Sequence, residues 1–121
     1  MNGPSNDDLK RIGIDLDDTM ALNTGYPEFE LLDPIADLRE SLEIMNERGY
    51  RPSVYTARGD ADVYKIEQWL IQHHMEHLIR HVHTGKKLFR HLFDDRAIRH
   101  TTWKENMATL QELDKDTHFW K

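Results

Sequence analysis

The sequence lacks cysteine, which excludes disulfide bonds and thiolate chemistry. Long apolar runs are also absent, and none approaches the roughly 18 residues that a membrane-spanning helix needs. Positive charge is scarce, because 16 basic residues face 22 acidic ones and give a formal net charge of -6. This balance opposes non-specific attraction to nucleic acid or to an anionic membrane. We therefore expect a cytoplasmic protein with no membrane partner.

The length of 121 residues fits one domain with a working hydrophobic core. It is too short for two ordinary domains, so we expect no separate cap domain. The first residues are polar and lack the apolar stretch of a signal peptide. We expect residues 1–9 to be a disordered leader and residues 10–121 to form the single domain.

Apolar patterning predicts strands that alternate with helices. The predicted strands cover residues 12–14, 51–56, 78–83 and 91–93, and the predicted helices cover residues 34–48, 63–71 and 102–113. Asp33 and Pro34 are the expected N-cap and first residue of the first helix. Residues 22–32 are expected to be irregular, and residues 20–32 could serve as a small flap. Because parallel neighbours need long crossovers, this order predicts an α/β fold with a mostly parallel sheet.

Polar residues follow each predicted strand, in the order Asp15, Asp17, Asp18 and Thr19, then Thr56, then Gly85 and Lys86, then Asp94 and Asp95. Ligands of parallel α/β sheets bind outside the carboxyl ends of the strands. Three carboxylates at one strand end lower the stability of the fold, so their presence indicates a bound cation or a reaction with an anionic centre. Mg²⁺ prefers such oxygen ligands. Phosphoryl transfer uses this set, because it needs a nucleophile, cations for the phosphoryl oxygens and a proton for the leaving oxygen.

Taken in this order, the motifs resemble those of the haloacid dehalogenase (HAD) superfamily of phosphohydrolases. That superfamily has a strand with DxDx(T/V), a strand ending in Ser or Thr, a lysine and an acidic pair, and the resemblance spans about residues 12–99. Phe93-Asp94-Asp95 and Thr56-Ala57-Arg58 are similar to motifs of small, minimally capped members. The resemblance implies a three-layer, Rossmann-like (HAD-like) α/β fold without a separate cap domain. It also implies a Mg²⁺-dependent phosphatase that hydrolyses a phosphomonoester through a covalent aspartyl-phosphate.

Carried over by position, the resemblance implies that Asp15 is the nucleophile and Asp17 the general acid and base. Mg²⁺ would be held by the Asp15 carboxylate, the Asp17 backbone carbonyl and Asp94. Asp95 would act as a ligand through water or would support the other ligands. Asp94 and Asp95 could also form a turn or a helix cap before Arg96, so a structural role stays open for them.

The resemblance also implies which residues meet the phosphate. Thr56 would donate its hydroxyl to a phosphoryl oxygen, and Lys86 would neutralise Asp15 and the incoming phosphate. We prefer Lys86 to Lys87 because it follows Gly85 directly after the third predicted strand.

The expected substrate is a small-molecule phosphate ester, since the net acidity disfavours a nucleic acid without excluding it. Thr19 and Arg58 complete the expected substrate-binding residues. Arg58 has two possible roles. It could reach substrate at the mouth of the site, or it could form an ion pair with Asp60 or Asp62.

Three alternatives use the same kinds of residue. A receiver-like signalling module also gathers acids and a lysine around Mg²⁺, but its phosphorylated aspartate normally lies at a later strand end, where this chain has Thr56. A catalytically silent phosphate-binding module would keep the residues without turnover. A dehalogenase-like use of the scaffold does not need Asp17, which a phosphatase requires.

Histidine and tryptophan residues raise two further questions. His73 and His77 have the i, i+4 spacing of a zinc chelate, but no pattern of further ligands follows, so we expect a solvated face. Trp69 lies on the apolar side of its predicted helix and is expected in the core. Trp103 and Trp120 could cover a sheet edge or join a partner chain, which leaves a homo-oligomer open.

Overall fold

The computed structural model describes residues 8–121 of the chain. In this range the strands are β1 (Arg11–Ile14), β2 (Ala21–Asn23), β3 (Leu31–Pro34), β4 (Arg51–Tyr55) and β5 (Val82–His83). The helices are α1 (Leu38–Glu47), α2 (Val63–Gln72) and α3 (Trp103–Asp114), with 3-10 turns at Asp8–Lys10, Asp60–Asp62, Glu76–Leu78 and His118–Trp120. The predicted α/β class is confirmed, and the predicted positions of α2 and α3 are correct to within one residue.

A three-stranded parallel sheet forms the centre of the described chain. Its order is β1-β4-β5, with Ile14 opposite Val54 and Val54 opposite Val82. Among the described residues β1 pairs on one side alone, so it is an edge strand. Because β1 and β4 run in the same direction, their carboxyl ends lie next to each other at one end of the sheet.

The helices bury apolar residues at helical spacing against the strands. In α1 the buried positions include Leu38, Leu42 and Met45, which are four and three residues apart and so share one face. The central strand β4 contributes Val54, which is fully buried. The core as a whole contains Ile14, Leu16, Met20, Ala21, Leu38, Leu42, Met45, Tyr50, Val54, Ile66, Trp69, Leu70, Met75, Leu78, Trp103, Leu110 and Phe119.

A two-stranded antiparallel hairpin replaces the irregular stretch expected at residues 22–32. Its strands β2 and β3 place Ala21 opposite Pro34 and Asn23 opposite Leu31. The predicted start of the first helix at Asp33 and Pro34 is therefore wrong, because these residues belong to β3. Pro34 ends this strand, where its missing N–H costs least, and α1 begins four residues later.

The predicted third and fourth strands are shortened or missing. The segment predicted as residues 78–83 keeps only Val82–His83 as strand, because a 3-10 turn takes up Glu76–Leu78. Residues 91–93 are not a strand, and they lie in an exposed coil. Three residues with strand-like composition form a strand only when a neighbouring strand supplies hydrogen-bond partners, and here none does within residues 8–121.

The expected leader of residues 1–9 lies mostly outside the described residues. Its last two residues, Asp8 and Leu9, belong to the 3-10 turn Asp8–Lys10, which leads directly into β1. Across residues 8–121, no helix has the length and apolar character needed to cross a membrane.

Candidate functional site

The turn after β1 carries two of the carboxylates singled out by the sequence. The Leu16 carbonyl accepts hydrogen bonds from the N–H groups of Met20 at 2.9 Å and Ala21 at 3.0 Å. The side chains of Leu16 and Met20 are fully buried, so both ends of the turn are fixed in the core. Asp15 and Asp17 flank the buried Leu16 and are therefore held beside the carboxyl end of the sheet.

Asp15 contacts two of the residues that the sequence analysis assigned to the same site. Lys86 Nζ donates a hydrogen bond to Asp15 Oδ1 at 2.9 Å, and Thr19 Oγ1 donates to Asp15 Oδ2 at 3.3 Å. The Asp15 side chain is 43% exposed, whereas that of Lys86 is 22% exposed. The Asp15 carboxylate is therefore balanced by a cation and still reachable from solvent.

Backbone hydrogen bonds place Lys86 beside the end of β4. The Lys86 N–H donates to the Thr56 carbonyl at 3.0 Å, and the Gly85 N–H donates to the Arg58 carbonyl at 2.8 Å. Gly85 adopts a positive φ of 73°, which a residue without a side chain tolerates. The Lys86 ammonium also lies 5.3 Å from the centre of the Tyr55 ring. Lys86 is the lysine that reaches Asp15, and Lys87 is exposed.

Asp17 is held by a second and separate ion pair, with Arg58. Arg58 Nη2 donates to Asp17 Oδ1 at 2.8 Å, and Arg58 Nε donates to Asp17 Oδ2 at 3.1 Å. This hydrogen bonding to Asp17 raises the pKa of the Arg58 guanidinium above its ordinary value. The expected alternatives for Arg58 were substrate, Asp60 or Asp62. Asp62 lies at 4.0 Å, and Asp17, which we had not considered, is the main partner.

The hairpin is tied to Asp17 and Arg58 by two contacts that sequence reasoning missed. Asn23 Nδ2 donates to Asp17 Oδ1 at 3.3 Å, and Arg58 Nη2 donates to the Phe29 carbonyl at 2.6 Å. Asn23 Oδ1 in turn accepts a hydrogen bond from the Gly25 N–H at 2.8 Å. The Asn-Thr-Gly sequence is typical of such an Asx turn, and this signal could have marked Asn23 as ordered.

Thr56 lies where predicted, directly after β4, and is buried. Its Oγ1 accepts a hydrogen bond from the Arg58 N–H at 3.1 Å, which leaves the hydroxyl proton to be donated. The Thr56 backbone carbonyl also accepts the hydrogen bond from the Lys86 N–H. Thr56 therefore contacts one residue of each ion pair, Lys86 of the first and Arg58 of the second. The contact of its hydroxyl with a phosphoryl oxygen stays a prediction.

Asp94 and Asp95 are the predicted site residues that the structure does not bring into this group. Across residues 8–121, no three His, Asp or Glu side chains form a group that could hold a metal ion. Asp94 Oδ1 accepts a hydrogen bond from the Arg96 N–H at 2.8 Å, as the turn alternative predicted. The two aspartates lie in the coil of residues 87–102, whose most exposed apolar side chains are Leu88, Phe89, Leu92 and Phe93.

Both ends of this coil are fixed at the site. Lys86 precedes it and contacts Asp15, and Trp103 follows it and donates its indole N–H to the Thr19 carbonyl at 2.8 Å. Trp103 is buried and packs in the core. Its contact with Thr19 had no signal in the sequence, because a residue separation of 84 leaves no local pattern.

Trp69, His73 and Trp120 have structural contacts. Trp69 is buried as predicted and donates its indole N–H to the Leu32 carbonyl at 2.7 Å. His73 packs with its ring centre 5.0 Å from that of Trp69. Trp120 donates to the Tyr50 hydroxyl at 2.9 Å. His73 therefore has a packing role directly after the last residue of α2.

Comparison with known proteins gives one structural likeness. No family model matches the chain, and no curated protein matches it. The chain is similar to the crystal structure of a structural-genomics target from Vibrio cholerae, with a TM-score of 0.64 and 25% sequence identity. The likeness covers 91% of this chain and 96% of that one, and that target carries no functional name. The α/β arrangement therefore recurs over nearly the whole of a second protein.

Proposed function

We propose that this chain is a Mg²⁺-dependent phosphatase of the HAD superfamily, with a three-layer Rossmann-like fold and a small phosphate monoester as substrate. The observation that carries the proposal is the separation of two carboxylates into two ion pairs at one strand end. Asp15 is paired with Lys86 and open to solvent, while Asp17 is paired with Arg58. Hydrolysis through a covalent intermediate needs two such groups, one to attack phosphorus and one to transfer protons.

Asp15 would act as the nucleophile. One carboxylate oxygen forms a bond to phosphorus, and the bond between phosphorus and the leaving oxygen breaks. Lys86, which already lies 2.9 Å from Asp15, lowers the repulsion between this carboxylate and the phosphate. Thr19 would supply a hydroxyl group beside Asp15, and Thr56 would supply a second one from the end of β4. These four residues are the binding and attacking part of the proposed site.

Asp17 would move the protons. It gives a proton to the leaving oxygen as the first bond breaks, and it takes a proton from the water that attacks the aspartyl-phosphate. The water oxygen then bonds to phosphorus, and the Asp15 carboxylate is released with inorganic phosphate. The proton that Asp17 gives in the first half is therefore recovered in the second.

The oxygen donors at this strand end are of the chemical kind that Mg²⁺ prefers, although they do not form a complete set of ligands within residues 8–121. Each Asp15 carboxylate oxygen accepts a single side-chain hydrogen bond in the structure, so each keeps acceptor capacity for a cation. The ion would be held by the Asp15 carboxylate and the Asp17 backbone carbonyl. The expected ligands Asp94 and Asp95 lie outside this group in the structure, so they would have to approach it with the exposed coil of residues 87–102. When bound, Mg²⁺ would offset the charge of the phosphate and of Asp15.

The test is hydrolysis of p-nitrophenyl phosphate and of a panel of natural phosphate monoesters, with and without Mg²⁺. We expect activity that requires the metal, and we expect Asp15→Asn to lose it while the far-UV circular dichroism stays unchanged. Asp33→Asn is the matched control, because Asp33 is an exposed carboxylate on β3. An active Asp15→Asn variant would refute the nucleophile, and a stable phosphoprotein after treatment with acetyl phosphate would instead favour a receiver-like module.

A further inference from the structure

Three of the five N–H donors of the Arg58 guanidinium bind other protein groups. Nε and one N–H of Nη2 bind Asp17, and the second N–H of Nη2 binds the Phe29 carbonyl. The remaining nitrogen, Nη1, lies 4.0 Å from Asp62. The two N–H donors on Nη1 are therefore near this carboxylate but too far from it for a hydrogen bond. The Arg58 side chain is only 11% exposed. This arrangement suits a residue that holds another side chain better than one that binds substrate.

The two oxygens of Asp17 are not equivalent in this arrangement. Oδ1 accepts hydrogen bonds from Arg58 Nη2 and Asn23 Nδ2, which fills both of its acceptor positions. Oδ2 accepts one side-chain hydrogen bond, from Arg58 Nε. Oδ2 is therefore the oxygen that can carry and transfer a proton while the bidentate pair stays intact.

We propose that Arg58 is a positioning residue that, together with Asn23, fixes Asp17 so that Oδ2 is the atom of proton transfer. This inference rests on the proposed phosphatase function. It replaces the substrate-binding role expected for Arg58 from the sequence. A two-point guanidinium contact fixes both the position and the rotation of a carboxylate, whereas a single ammonium contact would leave the rotation free.

The position of Asp17 matters most when the leaving group needs a proton. A poor leaving group, such as phenoxide, depends on protonation as the bond to phosphorus breaks. A good leaving group, such as 2,4-dinitrophenoxide, departs without it. Loss of the correct Asp17 position should therefore slow the first substrate much more than the second. Loss of a substrate contact should instead affect both substrates equally, because the phosphate group is the same.

The experiment compares kcat and KM for phenyl phosphate and 2,4-dinitrophenyl phosphate in the Mg²⁺-loaded protein. For Arg58→Lys we expect kcat to fall about 10²-fold with phenyl phosphate, near the lower end of general acid effects, and about 3-fold or less with the dinitrophenyl ester. We expect KM to change little for either ester. Arg39→Gln is the matched control, since Arg39 forms an exposed i, i+4 pair with Glu43 on α1.

Folding of each variant is checked by circular dichroism and a thermal melt. If Arg58→Lys does not fold, Asn23→Ala is used instead, because it removes one contact to Asp17 Oδ1. It should also lower kcat more for phenyl phosphate than for the dinitrophenyl ester, but by a smaller factor. Equal losses for both esters, or a raised KM with kcat unchanged, would overturn the positioning role and leave the phosphatase proposal standing. A wild-type protein that hydrolyses neither ester would overturn both.

Discussion

The variant Lys86→Met is expected to lower the proposed activity strongly while it changes the stability of the fold only slightly. Methionine keeps an unbranched apolar stem of similar length and removes the ammonium that lies 2.9 Å from Asp15 Oδ1. Lys87→Met is the matched control, because the neighbouring lysine is exposed. Both variants lose one positive charge from the same segment, so a difference between them reports the contact with Asp15.

The expected loss of stability is small. Ion pairs as exposed as this one contribute about 0–1 kcal/mol, and the contact of the ammonium with the Tyr55 ring adds about 0.5–1 kcal/mol. Lys86→Met should therefore lower the free energy of unfolding by less than about 2 kcal/mol. The activity should fall much further, by about 10²–10³-fold in kcat, because the ammonium acts on charge that develops during the transfer.

The assay is Mg²⁺-dependent release of p-nitrophenol, run beside urea unfolding followed by circular dichroism. A folded Lys86→Met protein that keeps a third or more of the wild-type kcat would refute the role of Lys86. A Lys87→Met protein with an equal loss would show that the assignment to one lysine is wrong.

Three further predictions address the metal, the core and the response to alkali. Asp94→Ala should raise the Mg²⁺ concentration for half-maximal activity at least about tenfold, and an unchanged metal titration would remove Asp94 from the ligand set. Leu42→Ala should lower the free energy of unfolding by about 2–5 kcal/mol in urea, since Leu42 is fully buried, and a loss below about 1 kcal/mol would contradict the packing described. Burial, with a hydrogen bond to Asp114, raises the pKa of Tyr50. The folded state thus holds this proton more tightly, and stability should fall as the pH rises above about 10. Urea unfolding at about pH 8 and pH 11 should show a smaller alkaline loss in Tyr50→Phe than in wild type.

The sequence was enough to locate the helices and strands that are marked by apolar residues at regular spacing. The spacing of apolar residues in α2 and the position of α3 were predicted correctly, because such patterns act within a few residues of the helix. The polar ends of β1 and β4 were also found, since a buried strand followed by carboxylate or hydroxyl groups is visible in the sequence. Their approach followed from the rule that parallel strand ends meet at one end of a sheet.

Long-range pairing decided the parts that the sequence did not reveal. Asp33 and Pro34 look like a helix start, but pairing of β3 with β2 takes them into a hairpin. Residues 91–93 look like a strand, but strand formation needs a partner that the local pattern cannot supply. The partner of Arg58 was missed for a related reason. Asp17 is 41 positions away in the chain, while Asp60 and Asp62 are near neighbours.

The coil of residues 87–102 has its two ends fixed at neighbouring points by Lys86 and Trp103. The entropy of loop closure grows slowly with length, by roughly 0.6 kcal/mol for each doubling, so insertions or deletions here should cost the scaffold little. New side chains could then be presented beside the Asp15 carboxylate without disturbing the sheet. A variant lengthened within this coil should unfold at nearly the same urea concentration as wild type, so the surroundings of Asp15 can be changed at little cost in stability.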